Sequence, residues 1–295
     1  MAELLAALIR ANLAGSLAVL LVLAARPLAR GRLAPQTLYG LWIVPPLAML
    51  GALLPPLTAA PKDQSSFLAD LPALLENSGL VPTLTFAWLA GVVVMTAVFA
   101  VMQARFLMAA KAGRAGPAVV GVFLPRIIMP ADENRYGAEE RRLVRAREQA
   151  HLARGDHRAV ALAAMLQCLA WFNPLATLAV RRMRLDQELA CDATVLAKYP
   201  RQRRAYAEAL LKTQLSPVAP PLGCAWPPNA PHPLEVRVTQ VAAAQRSPVV
   251  GSALVAGLGL TALLAAWLAQ PAAPPHDRPQ WSNQRPILVL VNLAP

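Results

Sequence analysis

The sequence predicts a mainly α-helical membrane protein with four transmembrane helices and a folded domain inserted before the last of them. Of the 295 residues, 56% are hydrophobic and 15% are charged, an unusually apolar composition for a soluble domain, yet the net charge is +12. Four segments are also apolar enough, and close enough to the roughly 20 residues that a transmembrane helix needs, to span a bilayer. Apolar spans joined by arginine-rich cytoplasmic loops account for both features.

The spans differ in how regular they are. In chain order they are Leu4–Leu23, Leu38–Leu54, Leu84–Met108 and Val249–Gln270. Arg10 interrupts the first span near its beginning, where a long basic side chain can reach the head groups. Pro45 and Pro46 predict a kink in the second. A secretory signal peptide is the alternative for the first span, but the basic flank follows the apolar run, which is the wrong order.

Loop charge predicts the orientation, because arginine-rich loops face the cytoplasm. Arg26, Arg30 and Arg32 follow the first span, and the segment after the third span is dense in arginine. Both chain ends are therefore expected outside. The predicted units are three transmembrane helices in 1–110, a cytoplasmic domain in 111–247, a fourth transmembrane helix in 248–270 and a short extracytoplasmic tail in 271–295. In that tail, Ile287–Val291 could add a strand to a partner.

Basic charge also raises the alternative of nucleic-acid binding, which the sequence does not support. It contains no aromatic RNA-binding platform, zinc-finger spacing or isolated basic helix. The three cysteines, Cys168, Cys191 and Cys224, form no C-x-x-C pair, so a disulfide framework and a thiolate zinc site are not expected. A small transporter is disfavoured because ionisable residues intrude into the spans only near an end, as Arg10 does.

Within the inserted domain, the pattern predicts one hairpin and four helices. Two apolar, β-branched runs predict a hairpin or two edge strands in Gly116–Pro130. Glycine, asparagine and proline signals then separate the predicted helices. These helices are Gly137–Asp156 with a stop at Gly155, His157–Phe172, Asn173–Pro200 with Asn173 as cap and Pro174 first, and Arg201–Leu215. The second is apolar but marginal in length for a span, so it is either a core helix or one resting on the membrane surface.

The first of these helices carries a motif that is one residue short of H-E-x-x-H. In that motif two histidines one turn apart bind zinc, and the glutamate acts as general base. Here Glu148 and His151 are present, but Arg147 replaces the first histidine. Arginine has no lone pair to give a metal. Residues 147 and 151 share a helix face and Glu148 lies beside it, so the motif's geometry is retained while one ligand is lost.

The third predicted helix offers the carboxylates that could complete such a site. Glu188 and Asp192 are four residues apart and share a face. We expect the Arg147 guanidinium to fork onto one of them, one cation substituting for another. His157, six residues after His151, is an alternative candidate for the missing ligand, but the pattern with a third histidine at that offset requires glycine at 154, where the chain has arginine. A solvated loop histidine is the simpler interpretation.

Six ordered pieces of the sequence resemble one family. They are LPRIIMP, EQAHLARGD, WFNPL, DQELACDATVL, RRAYAEALL and, before the last span, HPLEVRV. With the order of spans, they resemble the transmembrane zinc metallopeptidases typified by the BlaR and MecR beta-lactam sensor-transducers. The resemblance implies a cytoplasmic, thermolysin-like α+β domain in a multi-pass protein of a bacterial-type inner membrane. It also implies His151 and Glu188 as zinc ligands, Glu148 as catalytic base and Asp192 as a residue that is not itself a ligand and orients one of the zinc-binding histidines.

The function implied by this resemblance is signal transduction through zinc-dependent proteolysis of a cytoplasmic regulator. Because Arg147 replaces the first ligand, the alternative is an inactive pseudopeptidase that acts as a membrane-anchored interaction or signalling scaffold, without zinc. The expected partners are a cytoplasmic substrate or regulator protein and membrane lipids, and not nucleic acid; a homodimer stays open. No penicillin-binding sensor is seen after the last span, so beta-lactam sensing is not expected.

Overall fold

The computed structural model describes residues 1–30, 32–56, 67–114, 117–129, 136–214, 237 and 249–270. Within these residues the chain is mostly helical and contains one two-stranded sheet. The helices are α1 (Ala2–Ala29), α2 (Pro35–Gly40), α3 (Val44–Gly51), α4 (Phe67–Asn77), α5 (Val81–Lys111), α6 (Ala138–Arg154), α7 (Asp156–Leu169), α8 (Pro174–Lys198), α9 (Arg203–Gln214) and α10 (Val249–Leu268). The strands are β1 (Ala118–Val120) and β2 (Arg126–Ile128).

Among the described residues, α1, α5 and α10 are long and apolar enough to cross a membrane. They correspond to the first, third and fourth predicted spans. Most of the side chains of α5 and α10 are not covered by the rest of the protein, as expected for helices that face lipid. The chain is therefore a multi-pass membrane protein.

The second predicted span is divided instead of forming one helix. It consists of α2, a 3₁₀ turn at Leu41–Ile43 and α3. The break coincides with Pro45 and Pro46 in the first turn of α3, where proline can begin a helix but cannot continue one. Helix α3 packs between α1 and α10, and a Cβ on Gly51 would collide with the backbone of Leu263 in α10. Four complete spans stay a prediction.

The predicted hairpin is present. Strands β1 and β2 pair antiparallel, with Ala118 opposite Ile128 and Val120 opposite Arg126. Gly121 follows β1 with φ 99°, a conformation that side chains with a Cβ rarely adopt. These two short strands form the sheet of the described residues, so the thermolysin-like α+β architecture also stays a prediction.

The local signals place the ends of the domain helices as expected. Gly155 ends α6 in the left-handed conformation, φ 72°, and α7 begins at the next residue. The Asn173 side chain accepts a hydrogen bond from the Leu175 N–H at 2.9 Å, and Pro174 opens α8. Helix α6 packs against both α8 and α9. Its Leu143 lies in a buried cluster with residues of α8 and α9.

A buried ion pair joins this domain to the helix bundle. Arg26 of α1 donates from Nε and Nη2 to the two oxygens of Asp186 in α8, at 2.8 and 2.6 Å. Trp42 Nε1 donates to the same carboxylate at 2.7 Å. Because all three side chains are buried, the contact fixes α8 against α1. The proposed tail, with Ile287–Val291, lies outside the described residues.

Candidate functional site

Arg147 lies inside the candidate site, between the carboxylates of Glu148 and Glu188. Its Nη1 donates to Glu148 Oε1 at 2.6 Å, and its Nη2 donates in a very short contact to Glu188 Oε2. The Arg147 and Glu148 side chains are only 10% and 3% exposed. The predicted contact between Arg147 and Glu188 is therefore present, and the structure brings α6 and α8 together through it.

A second arginine reaches the same carboxylate. Arg237, which lies between α9 and α10 in the chain, places Nη1 3.2 Å from Glu188 Oε2. It also donates from Nε and Nη2 to the two oxygens of Asp192, each at 2.8 Å. Its side chain is 4% exposed. Sequence reasoning missed Arg237; the available signal was its place in the HPLEVRV piece.

The carboxylate partner of the motif's histidine is Asp156, which sequence reasoning did not single out. His151 Nδ1 lies 2.6 Å from Asp156 Oδ2. Asp192, which the resemblance assigns to orienting a histidine, instead accepts from Arg237 and from the Tyr206 hydroxyl at 2.7 Å. In this arrangement the acidic group that orients His151 is Asp156. The left-handed turn at the end of α6 brings it back beside the ring.

The charged groups of the site form ion pairs that share partners, and these pairs determine the pKa values of its members. Burial works to raise the pKa of the Glu188 carboxyl, but Arg147 and then Arg237 outweigh it and hold that pKa well below its usual range. Burial likewise opposes the charged form of His151. Its neighbour Cys191 and its hydrogen bond with Asp156 nevertheless raise its pKa to about 10. Each of these groups is thus held in its charged form by its neighbours.

The donors do not fit a catalytic zinc ion, which takes three protein ligands and a water. His151 Nε2 and Glu188 Oε1, 3.8 Å apart, are the two predicted ligands that the structure brings together. Arg147 supplies a fixed cation at the position where the first histidine of the motif would lie, and it pairs with both Glu148 and Glu188. Over the described parts of the chain, no group of three or more histidine, cysteine or acidic residues is arranged to hold a metal.

His157 does not join this site. It lies in the first turn of α7, beyond the turn at Gly155, and both of its ring nitrogens are buried without a hydrogen-bond partner among the described residues. The expectation of a solvated loop histidine was therefore wrong, because the chain continues into a helix directly after Gly155.

Comparison with known proteins identifies the family. A family profile described as BlaR1 peptidase M56 matches residues 60–241, more than half of the chain. The Regulatory protein BlaR1 of Bacillus licheniformis is 31% identical over 97 residues, which make up 32% of this chain and 16% of that protein. The match therefore spans a small part of the relative's length. No solved structure is significantly similar. With H-E-x-x-H reduced to R-E-x-x-H on α6 and the acidic pair on α8, the chain belongs to the BlaR1 peptidase M56 family.

Proposed function

We propose that this chain is a pseudopeptidase: a membrane-anchored member of its family that binds a cytoplasmic regulator protein and takes part in signalling without cutting it. The observation that carries the proposal is the Arg147 guanidinium, buried between Glu148 and Glu188. Peptidases of this family are in general zinc-dependent. Here Glu148, the general base of that chemistry, and Glu188, a zinc ligand in it, both pair with an arginine that cannot be deprotonated.

Charge balance supports a site that stays folded without metal. Buried carboxylates are stable only when paired, and a metal ordinarily provides that pairing. In this chain Arg147 pairs Glu148 and Glu188, and Arg237 pairs Glu188 and Asp192. The two guanidinium groups thus supply the positive charge, and the scaffold no longer depends on zinc for its stability.

The hairpin offers a surface for a partner protein. Its tip residues Phe123 and Leu124 are 91% and 82% exposed, and the short strands present backbone edges to which an extended peptide can add. Arginine-rich loops favour a cytoplasmic location for this surface, with both chain ends outside. Regulator binding would then occur on the cytoplasmic side, while the spans connect it to the opposite face of the membrane.

Zinc content and proteolysis, measured on the purified full-length protein, test the proposal. Five proteins are compared: the native chain, Glu148→Gln, Arg147→His, Arg147→His combined with Glu148→Gln, and Arg145→His. The last is a matched control, because Arg145 is exposed on the same helix and a histidine there cannot complete the site. Metal is measured by mass spectrometry after dialysis, and cleavage is measured with an unstructured protein substrate.

We expect the native chain and Arg145→His to retain no stoichiometric zinc and to cleave nothing. Arg147→His should gain zinc, because it restores the missing ligand beside His151 and Glu188. Cleavage gained by Arg147→His should disappear on adding Glu148→Gln. Stoichiometric zinc in the native protein, or native cleavage that Glu148→Gln abolishes, would overturn the proposal in favour of an active zinc peptidase.

A further inference from the structure

The turn between α7 and α8 lies deep against two membrane-spanning helices. On α5, Trp88 Nε1 donates to the Leu169 carbonyl at 2.9 Å, and Trp171 Nε1 donates to the Trp88 carbonyl at 3.2 Å. A Cβ on Gly91 would collide with the Trp171 ring, so this glycine lets the turn approach α5 closely. These contacts are near the beginning of α5, the end opposite to the basic segment that follows it.

Helix α1 holds the same turn from another side. Asn173 Nδ2 donates to Ser16 Oγ at 2.8 Å and to Asn12 Oδ1 at 3.3 Å. Asn12 lies in the half of α1 that is remote from Arg26, and Ser16 lies at the middle of the helix. The turn is thus fixed at corresponding levels of two transmembrane helices.

Helix geometry converts these contacts into a depth. The distance along α1 from Ser16 to Arg26 is about 15 Å, and from Asn12 it is about 21 Å, at a rise of 1.5 Å per residue. Along α5, Gly91 lies about 21 Å from Arg105, its first basic residue. The hydrocarbon core of a bilayer is about 30 Å thick, so the turn lies at or beyond its midplane if the basic residues mark the inner surface.

The two helices of the turn have matching lengths. Helix α7 has 14 residues. At 1.5 Å per residue it is about 21 Å long, too short to cross a bilayer. From Pro174 to Asp186, where α8 meets Arg26, the distance is about 18 Å. Both helices therefore connect the level of Arg26 with the depth of the turn.

The turn lies within an uncharged stretch of sequence that has arginine at both ends. The sequence contains no charged residue from Ala159 to Val180, whereas Arg158 precedes this stretch and Arg181 and Arg182 follow it. Arginine at both ends places both ends on the cytoplasmic side. A segment that enters and leaves on one side is re-entrant and need not be long enough to span.

Polar groups inside the stretch are paired within the protein. Gln167 Nε2 of α7 donates to Thr177 Oγ1 of α8 at 3.2 Å, and Asn173 is held by α1 as described above. Hydrocarbon tolerates polar side chains when they are paired in this way. By contrast, the apolar side chains Met165 and Phe172 are 53% and 52% exposed in the protein, as suits contact with lipid.

We propose that Ala159–Val180, the uncharged stretch that comprises most of α7, the turn and the start of α8, forms a re-entrant hairpin whose exposed side chains contact the lipid hydrocarbon. Its consequence is that Glu188, two residues beyond Asp186, lies at the cytoplasmic surface of the membrane. The domain in 111–247 is then not a separate soluble unit, and a partner protein meets the site at the bilayer surface. The proposed re-entrant hairpin does not depend on whether the site around Glu188 binds zinc.

Thiol labelling of the full-length protein in membrane vesicles tests this. In a Cys224→Ser background, single cysteines are introduced as Phe172→Cys at the turn, Met165→Cys on α7 and Arg145→Cys on α6. A membrane-impermeant maleimide is applied to inside-out and to right-side-out vesicles. The background without an added cysteine corrects for Cys168 and Cys191, which are buried. Labelling after dissolution in SDS gives the total for each variant.

We expect Arg145→Cys to label rapidly in inside-out vesicles. Phe172→Cys and Met165→Cys should label more slowly than this by about tenfold or more, from either face, because a thiol in an apolar medium does not ionise. Because residues 165 and 172 are half exposed in the protein, their protection has to come from lipid. Labelling of Phe172→Cys as fast as Arg145→Cys in inside-out vesicles would refute insertion. Labelling from the outer face would refute re-entry. If Phe172→Cys does not accumulate, Met165→Cys decides alone.

Discussion

Replacing Arg147 with leucine should destabilise the fold by stranding one particular carboxylate. Glu148 is 3% exposed, and Arg147 is its cationic partner among the described residues. Glu188, by contrast, is 29% exposed and keeps Arg237 at 3.2 Å. The loss therefore falls mainly on Glu148. Removing one partner of a buried ion pair costs about 3–5 kcal/mol, so we expect Arg147→Leu to lower the free energy of unfolding by that amount.

A second substitution separates this cause from a general packing defect. Adding Glu148→Gln to Arg147→Leu removes the stranded charge, and replacing both members of a buried pair by neutral groups is often close to neutral. The double variant should therefore recover most of the loss, with a coupling energy of about 2–3 kcal/mol between the two positions. Packing lost with the arginine stem would not be recovered.

The assay is denaturant unfolding of the full-length protein in mild detergent, followed by tryptophan fluorescence. Arg145→Leu serves as the control, because an exposed position on the same helix should change stability by less than about 0.5 kcal/mol. An Arg147→Leu variant as stable as the native chain would refute the reasoning. So would single and double variants that are equally unstable, since Glu148 would then not be the group that Arg147 neutralises.

Three further predictions rest on single contacts. Arg237→Ala should lower the unfolding free energy by about 3–5 kcal/mol in the same assay, because it removes both guanidinium hydrogen bonds from the buried Asp192. A hydrogen bond from Lys212 holds the pKa of Glu140 below its ordinary 4.5, so this contribution is complete above about pH 4.5 and is lost as pH falls through the lowered folded pKa. Glu140→Gln should therefore reduce the acid-induced loss of stability in a pH series. Gly91→Leu should cost about 1–3 kcal/mol by pushing α5 away from the α7–α8 turn.

Helix ends in the domain could be predicted because their causes are local. Asn173 caps the helix whose first residue is Pro174, and Gly155 supplies the left-handed turn that separates two helices. The division of the second predicted span was less accessible. Hydropathy reports that the segment is apolar, but whether Pro45 and Pro46 kink a helix or begin a new one depends on how α3 packs against its neighbours.

The contact between Arg147 and Glu188 was predictable because the helical repeat fixes which residues face the former metal position. Arg237 was not, because it lies 45 residues from Asp192 in the chain and no periodicity connects them. Asp156 was overlooked for a different reason. The resemblance pointed to a carboxylate on α8, whereas the turn at the end of α6 returns a nearer carboxylate to His151.

If the chain is the pseudopeptidase proposed above, helix α8 is the element through which it would signal without catalysis. Within two turns it bears Asp186, which α1 holds, Glu188, which α6 holds, and Asp192, which Arg237 holds. A displacement of α1 therefore acts on the same helix that carries Glu188, the zinc ligand that the resemblance implies. In an active peptidase that displacement would change the metal's surroundings. In the proposed pseudopeptidase it would change ion pairs instead, and a bound regulator protein would respond to that repacking. On this proposal, arginine in place of the first histidine removes the chemistry while the contact between α1 and the site is retained.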